Sequence, residues 1–302
     1  MRHRIFTLAA IGFASIVALP AAAQDNAALL KRGEYLMNGP VACGNCHNTR
    51  AEDMSFVPGK AFAGGFHIAD PVIDAWSANI TPDPETGIGT WTDEEIITAI
   101  REGKNKEGRI IFPPMPVPTY NNMSDDDVKA IVAYLRTVPP VHNEVPESTY
   151  KIPLQAMPPA KGLPAPSPAD KVAYGGHIVT PPPPRLHCHT PAGPGGAPDM
   201  AKMGAGGFEI QLAPGMSVKT ANITSDPETG IGSWTDDEIK TAITTGVSKD
   251  GTKLAPPMPY GFFKNMTPED LDAVVAFLRT VPPVKNDVIR TDFQKKAFPG
   301  PG

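Results

Sequence analysis

Cys43, Cys46 and His47 stand in the spacing C-x-x-C-H, within the run Cys43-Gly44-Asn45-Cys46-His47. One helical turn can present both thiols and the imidazole together. Two thiols at this separation can add to the two vinyl groups of a haem and form thioethers, and the adjacent imidazole can take one face of the iron. A thiol redox pair or half of a zinc site would use similar residues. A zinc site, however, needs further Cys or His at short spacing, and none follows. The motif therefore points to covalently attached haem c at Cys43, Cys46 and His47. The opposite iron face is commonly taken by a methionine, which raises the potential and closes the site to small ligands. Met115 and Met123 are the candidates here. Met115 lies in Pro113-Pro114-Met115-Pro116, where prolines stiffen a loop that presents a side chain. Met123 precedes a helix N-cap, where an apolar residue staples against the first turn at Val128. The expected iron ligands are thus His47 and Met115.

A second constellation lies further on. Cys188 and His189 repeat the last two positions of the motif, and Met258 sits in a second Pro-Pro-Met-Pro run, with Met266 in the place of Met123. The first cysteine position is Arg185, so only Cys188 can form a thioether. Three readings stand. Haem is held by one thioether with His189 and Met258 as ligands, or the haem has been lost and the fold kept, or haem binds without a covalent link. The retention of Cys188, His189 and Met258 favours the first. Attachment machinery that generally requires both thiols counts against it. His187 is read as turned away from the iron.

These two constellations belong to a duplication. Residues 77–145 align without a gap on residues 220–288, with 41 identities in 69 positions. The shared blocks include Asn79-Ile80-Thr81 with Asn222-Ile223-Thr224, and Asp83 to Gly89 with Asp226 to Gly232. Upstream, the offset drops from 143 to 142, so the second copy has one extra residue between 208 and 220, where the first runs from 66 to 77. The period is that of a domain, not of a solenoid. The expected organisation is a leader at 1–23, one domain at 24–145, a Pro-rich linker at 146–168, a second domain at 169–288 and a tail at 289–302.

The elements that must position the ligands can be read from helix signals. Thr92 with Glu95 and Thr235 with Glu238 fit capping boxes, each preceded by a tryptophan that can staple on Ile96 or Ile239. Gly103 and Gly246 end those helices. A further helix starts at Ser124 in one copy and at Thr267-Pro268 in the other. Its apolar stripe is Val128, Ile131, Val132 and Leu135, or Leu271, Val274, Val275 and Leu278. A helix near 27–37 precedes the first motif. No stretch alternates for long, so the expected class is all-α, two domains with long loops.

Arg2, His3 and Arg4, then an apolar run to Leu19 and the small residues Ala21 to Ala23, read as a secretory leader. The run is shorter than the about 20 apolar residues that span a bilayer. Removing 1–23 takes away two arginines and no acid, which moves the net charge from -5 to -7. That acidity argues against nucleic acid and anionic lipid as partners. The expectation is a periplasmic protein with no membrane insertion of its own.

The chain resembles the bacterial dihaem cytochrome c family, in the branch that includes cytochrome c subunits of periplasmic and membrane-bound dehydrogenases. The blocks C-G-N-C-H, N-I-T-x-D-P-E-T-G-I-G-x-W-T-x-x-E-I, P-P-M-P and A-Y-L-R-T-V-P-P-V carry the resemblance, and they cover most of the chain. It implies a class-I-like fold in each copy, His/Met ligation and electron transfer from a dehydrogenase to a cytochrome or oxidase. It also implies that Gly33 lets the first helix approach the last near Tyr134, with Gly175 near Phe277 in the same role. Trp91 and Trp234 are implied neighbours of the haem propionates, or core residues. Other functions remain open: a dihaem peroxidase, a thiosulfate-oxidising cytochrome, or a monohaem carrier with a haem-free docking domain. A peroxidase needs an acid/base group at an open iron. His67 and His142 stand alone in the sequence and give no such signal.

Overall fold

The computed structural model describes residues 21–160, 162–179, 186–193, 198–213, 216–254 and 256–289. The leader up to residue 20, Arg185 and the tail from residue 290 lie outside the described residues.

Copy one begins with α1 (Ala21–Asn38), followed by the one-turn helix α2 (Gly44–His47), which Cys43 caps and which carries the rest of the C-x-x-C-H motif. An antiparallel hairpin, β1 (His67–Ala69) and β2 (Ile73–Trp76), comes next. Three helices complete the copy: α3 (Asp93–Glu102), α4 (Val117–Tyr120) and α5 (Asp125–Leu135). Copy two repeats the order with α6 (Lys171–Val179), a 3-10 turn at His187–His189, the hairpin β4 (Glu209–Ala213) and β5 (Met216–Lys219), then α7 (Asp236–Thr245), α8 (Tyr260–Phe263) and α9 (Pro268–Thr280). Between the copies, β3 (Thr149–Tyr150) adds to β2, pairing Ile73 with Tyr150. The start of the Pro-rich segment is therefore fastened to copy one. Further along, Met157 N donates to Glu102 O, and Asn121 Nδ2 donates to Pro158 O at 2.9 Å.

Helices carry both cores, but the described residues also form a three-stranded and a two-stranded sheet, so the expected all-α class holds for the cores and not for the whole of each copy. The sheets escape a reading by alternation because each strand has only two to five residues. The one-residue insertion falls in the second hairpin, where the register shifts between Gln211 and Ala213. An extra residue in one strand is accommodated as a bulge without moving the elements on either side.

Both expected capping boxes form. Thr92 Oγ1 accepts from Glu95 N while Glu95 Oε2 accepts from Thr92 N, and Thr235 with Glu238 does the same. Gly103 and Gly246 take φ of 68° and 69° and close α3 and α7. Val128, Ile131, Val132 and Leu135 are buried with Leu36, Met37 and Ile96 in the first core. Leu271, Val274, Val275 and Leu278 are buried with Ile239 and Leu186 in the second. Each fully buried aliphatic side chain contributes about 1.5–3 kcal/mol. Helices as short as α5 are marginal alone, so this packing is what holds them.

α1 crosses α5 at Gly33, where a methyl group would overlap the carbonyl of Ala130 and crowd Tyr134 Cβ. α6 crosses α9 at Gly175, where it would overlap the Ala273 carbonyl. Phe277 is met one residue later, by Gly176. Among the described residues, no helix is long and apolar enough to cross a membrane.

Candidate haem sites

α2 is positioned by its own backbone. His47 N and Cys46 N both donate to Cys43 O, and Asn48 N donates to Gly44 O. His47 O then accepts from Gly64 N at 2.7 Å. Gly64 has φ of 76°, and any side chain there would strike the backbone of Ser77 and Ala78. That approach brings the Ala78 carbonyl to His47, whose Nδ1 lies 2.8 Å from Ala78 O. A carbonyl oxygen only accepts, so Nδ1 carries the proton and Nε2 keeps its lone pair. Burial holds the imidazole below the ordinary histidine range, against the upward pull of the Ala78 bond. A neutral ring with its second nitrogen fixed to a carbonyl is the form that binds a metal.

Copy two reproduces this geometry. His189 Nδ1 lies 2.8 Å from Ala221 O, and His189 O accepts from Gly206 N at 2.7 Å. Gly206 has φ of 72° and leaves no room for a side chain against Ala221 and Asn222. Burial lowers the His189 pKa as it does that of His47. Cys188 precedes it in the same turn.

Burial pushes the Cys43 thiol up to about 12, and it raises those of Cys46 and Cys188. The methionine loop reaches the first attachment turn through α4. Met115 O accepts from Val117 N at 2.8 Å, and Tyr120 at the end of α4 has its hydroxyl raised well above the usual range by burial and by Cys43 and Cys46 beside it. Tyr120 and Cys43 pack on the same core. Met258 O likewise accepts from Tyr260 N, and Phe263, which replaces Tyr120, packs on the core that holds Leu186.

The four methionines divide into two kinds. Met123 and Met266 are buried at 5% and 8% exposure within the cores. Met115 and Met258 are half-buried in their loops. Trp91 and Trp234 pack on the cores, and their carbonyls accept from Arg136 and Arg279 Nη2, each at 2.5 Å. His67 is stacked on Trp76 at 4.0 Å and bound to Asp74 in the exposed hairpin. His142 lies between Asp83 and Glu85. Tyr120 is the site residue that sequence reasoning missed. The signal that could have found it is an aromatic residue at the same position of each copy, Tyr120 and Phe263.

The donor set in copy one fits haem c: two thiols and a neutral imidazole with Nε2 free, on one turn. In copy two it is one thiol and the same imidazole arrangement.

The similarity of the chain to known proteins agrees. The family described as cytochrome C oxidase, cbb3-type, subunit III matches residues 28–135, and the family described as cytochrome c matches residues 186–282. The cytochrome c subunit of the quinone alcohol dehydrogenase of Gluconobacter oxydans (strain 621H) is 32% identical over 91% of this chain and 60% of its own length. The fructose dehydrogenase cytochrome subunit of Gluconobacter japonicus is 30% identical over 87% of this chain and 54% of its own length. The gluconate 2-dehydrogenase cytochrome c subunit of Pantoea cypripedii is 32% identical over 74% and 52%. The chain thus spans about 60% of the length of the first of these relatives. With two cytochrome c domains in tandem, the chain belongs to the dihaem cytochrome c family.

Proposed function

We propose that this protein is an electron-transfer cytochrome of the periplasm that takes electrons from a dehydrogenase and passes them to a respiratory cytochrome or oxidase. Each copy holds one haem c, the first on Cys43 and Cys46 with His47 and Met115 at the iron, the second on Cys188 alone with His189 and Met258. The observation that carries this reading is the repeated imidazole geometry: His47 and His189 each reach a backbone carbonyl at 2.8 Å through Nδ1. A copy that had lost its haem would have no need to keep the His189 ring oriented on the Ala221 carbonyl. The similarity to dehydrogenase cytochrome subunits supports a dehydrogenase as donor.

The bound haem supplies an iron that cycles between ferric and ferrous by one electron. The protein's part is to fix the imidazole tautomer through Ala78 and Ala221. It also keeps water from the ring through the buried core, and it offers a thioether sulfur ligand from a stiff loop that closes the iron to other molecules. Among the described residues, the two histidines that the sequence leaves for an acid or base, His67 and His142, are engaged with carboxylates at the surface. Carbon monoxide added to the reduced protein tests this reading. Closed His/Met sites bind it slowly or not at all. Rapid binding at either haem would favour an enzyme over a carrier.

A further inference from the structure

The two copies touch through two sets of contacts. One set obeys the repeat. Tyr35 Oη donates to Asp270 Oδ2 at 2.5 Å, and His177 Nε2 lies 3.3 Å from Asp127 Oδ2. Tyr35 and His177 are equivalent positions of the two copies, and so are Asp127 and Asp270. The pairing is therefore reciprocal, as across a two-fold axis.

Among the described residues, the other set is one-sided. Asn45, between the two haem cysteines of copy one, directs Nδ2 to the carbonyl of Pro257 at 3.4 Å. Pro257 is the residue before Met258. Arg50 steadies Asn45 from behind: its Nη2 donates to Asn45 O at 2.7 Å and to Asn45 Oδ1 at 3.2 Å. Beside this bond, Gly44 lies against Phe262, where a methyl group would come 2.9 Å from Cε1. Phe262 meets Phe56 edge-on at 6.0 Å, and the Arg50 guanidinium covers Phe56 at 4.5 Å. At the equivalent places copy two has His187 for Asn45, Leu186 for Gly44 and Ala192 for Arg50. The attachment turn of copy one is thus built to rest on the methionine loop of copy two.

We propose that this contact is the internal electron junction of the molecule, with Asn45 as its positioning residue. The inference rests on the reading that copy two holds a haem with Met258 at the iron. The route runs from the thioether of Cys46 along the backbone to Asn45, across the amide hydrogen bond to the Pro257 carbonyl, and along the backbone to Met258. Electrons tunnel more readily through bonds and hydrogen bonds than across a gap. One electron crosses: the donor haem goes from ferrous to ferric, the acceptor haem from ferric to ferrous, and no bond or proton changes place. The 3.4 Å separation is longer than the usual N–H···O bond, and the two bonds from Arg50 hold the Asn45 amide in place.

Asn45→Asp in the full, haem-loaded chain tests the junction. It keeps the acceptor for Arg50 and removes the donor for Pro257. Pulse radiolysis injects one electron, and the α-bands of the two haems follow its redistribution. The expected result is a severalfold slower equilibration between haems, with haem content, spectra and the methionine–iron band unchanged. Tyr35→Phe, which removes the bond to Asp270 and leaves Asn45 and Pro257 untouched, is the control and leaves the rate unaltered. An unchanged rate in Asn45→Asp, or equal slowing in Tyr35→Phe, overturns the junction. Haem counting separates the two failures: one haem per chain overturns the two-haem reading and the junction together, whereas two haems with an unchanged rate overturn the junction alone.

Discussion

On the proposed ligation, single residues decide whether each iron is closed and how each haem is tethered. Met115→Leu is expected to abolish the methionine–iron charge-transfer band and lower the potential of the first haem, because a sulfur ligand raises it. Met123→Leu should leave the band intact and cost less than about 1.5 kcal/mol, since Leu and Met are close in volume and Met123 is core. Absorption spectra and a denaturant titration of the two variants check this, and loss of the band in Met123→Leu would move the ligand. Arg185→Cys restores the missing thiol. Its expected effect is to shift the α-band of the second haem onto that of the first, because a second vinyl group is saturated. The residue types at these positions were legible without coordinates, because thioether chemistry fixes the cysteine and histidine spacing. Tyr120 was not, because its nearness to Cys43 and Cys46 arises from the packing of α4 and not from spacing.

At the level of elements, the close crossings and the contact between copies carry the stability. Gly33→Ala should destabilise copy one by about 3 kcal/mol or prevent its folding, since overpacking against a backbone carbonyl has no flexible side chain to absorb it. Thermal unfolding measures it. Asp127 joins the copies, taking Arg32 Nε at 2.8 Å and His177 at 3.3 Å. Burial alone would raise its pKa, but the hydrogen bonds from His177 and Arg32 outweigh that and hold it at about 2. A depressed carboxylate contributes stability above its unfolded pKa of 3.8, and that stability is lost as pH falls towards about 2. Unfolding midpoints measured between those values should fall more steeply in the parent than in Asp127→Asn. That variant in turn should lose about 3 kcal/mol at neutral pH because Arg32 and His177 keep their places without the charge. Helix ends were readable because a capping box is local: Thr92 and Glu95 are three residues apart. Tyr35 with Asp270 is 235 positions apart and joins unlike residues of the repeat, so nothing in the alignment of the copies marks it. The hairpins were hidden for another reason, since strands of three to five residues are too short to show alternation.

For the whole molecule, the duplication becomes a pair of cytochrome c domains joined by a reciprocal clamp and, among the described residues, by a one-way contact between an attachment turn and a methionine loop. The repeat made the two sites visible as a pair. It left the second in question, because the departure at Arg185 and the retention of His189 point in opposite directions. The retained imidazole geometry is the reason to count two haems. The direct test is a pyridine haemochrome assay combined with intact mass on the chain matured in an oxidising compartment. The account predicts two haems per chain, one of them with its α-band at the position of a single thioether. One haem per chain, attached at Cys43 and Cys46 only, would contradict it.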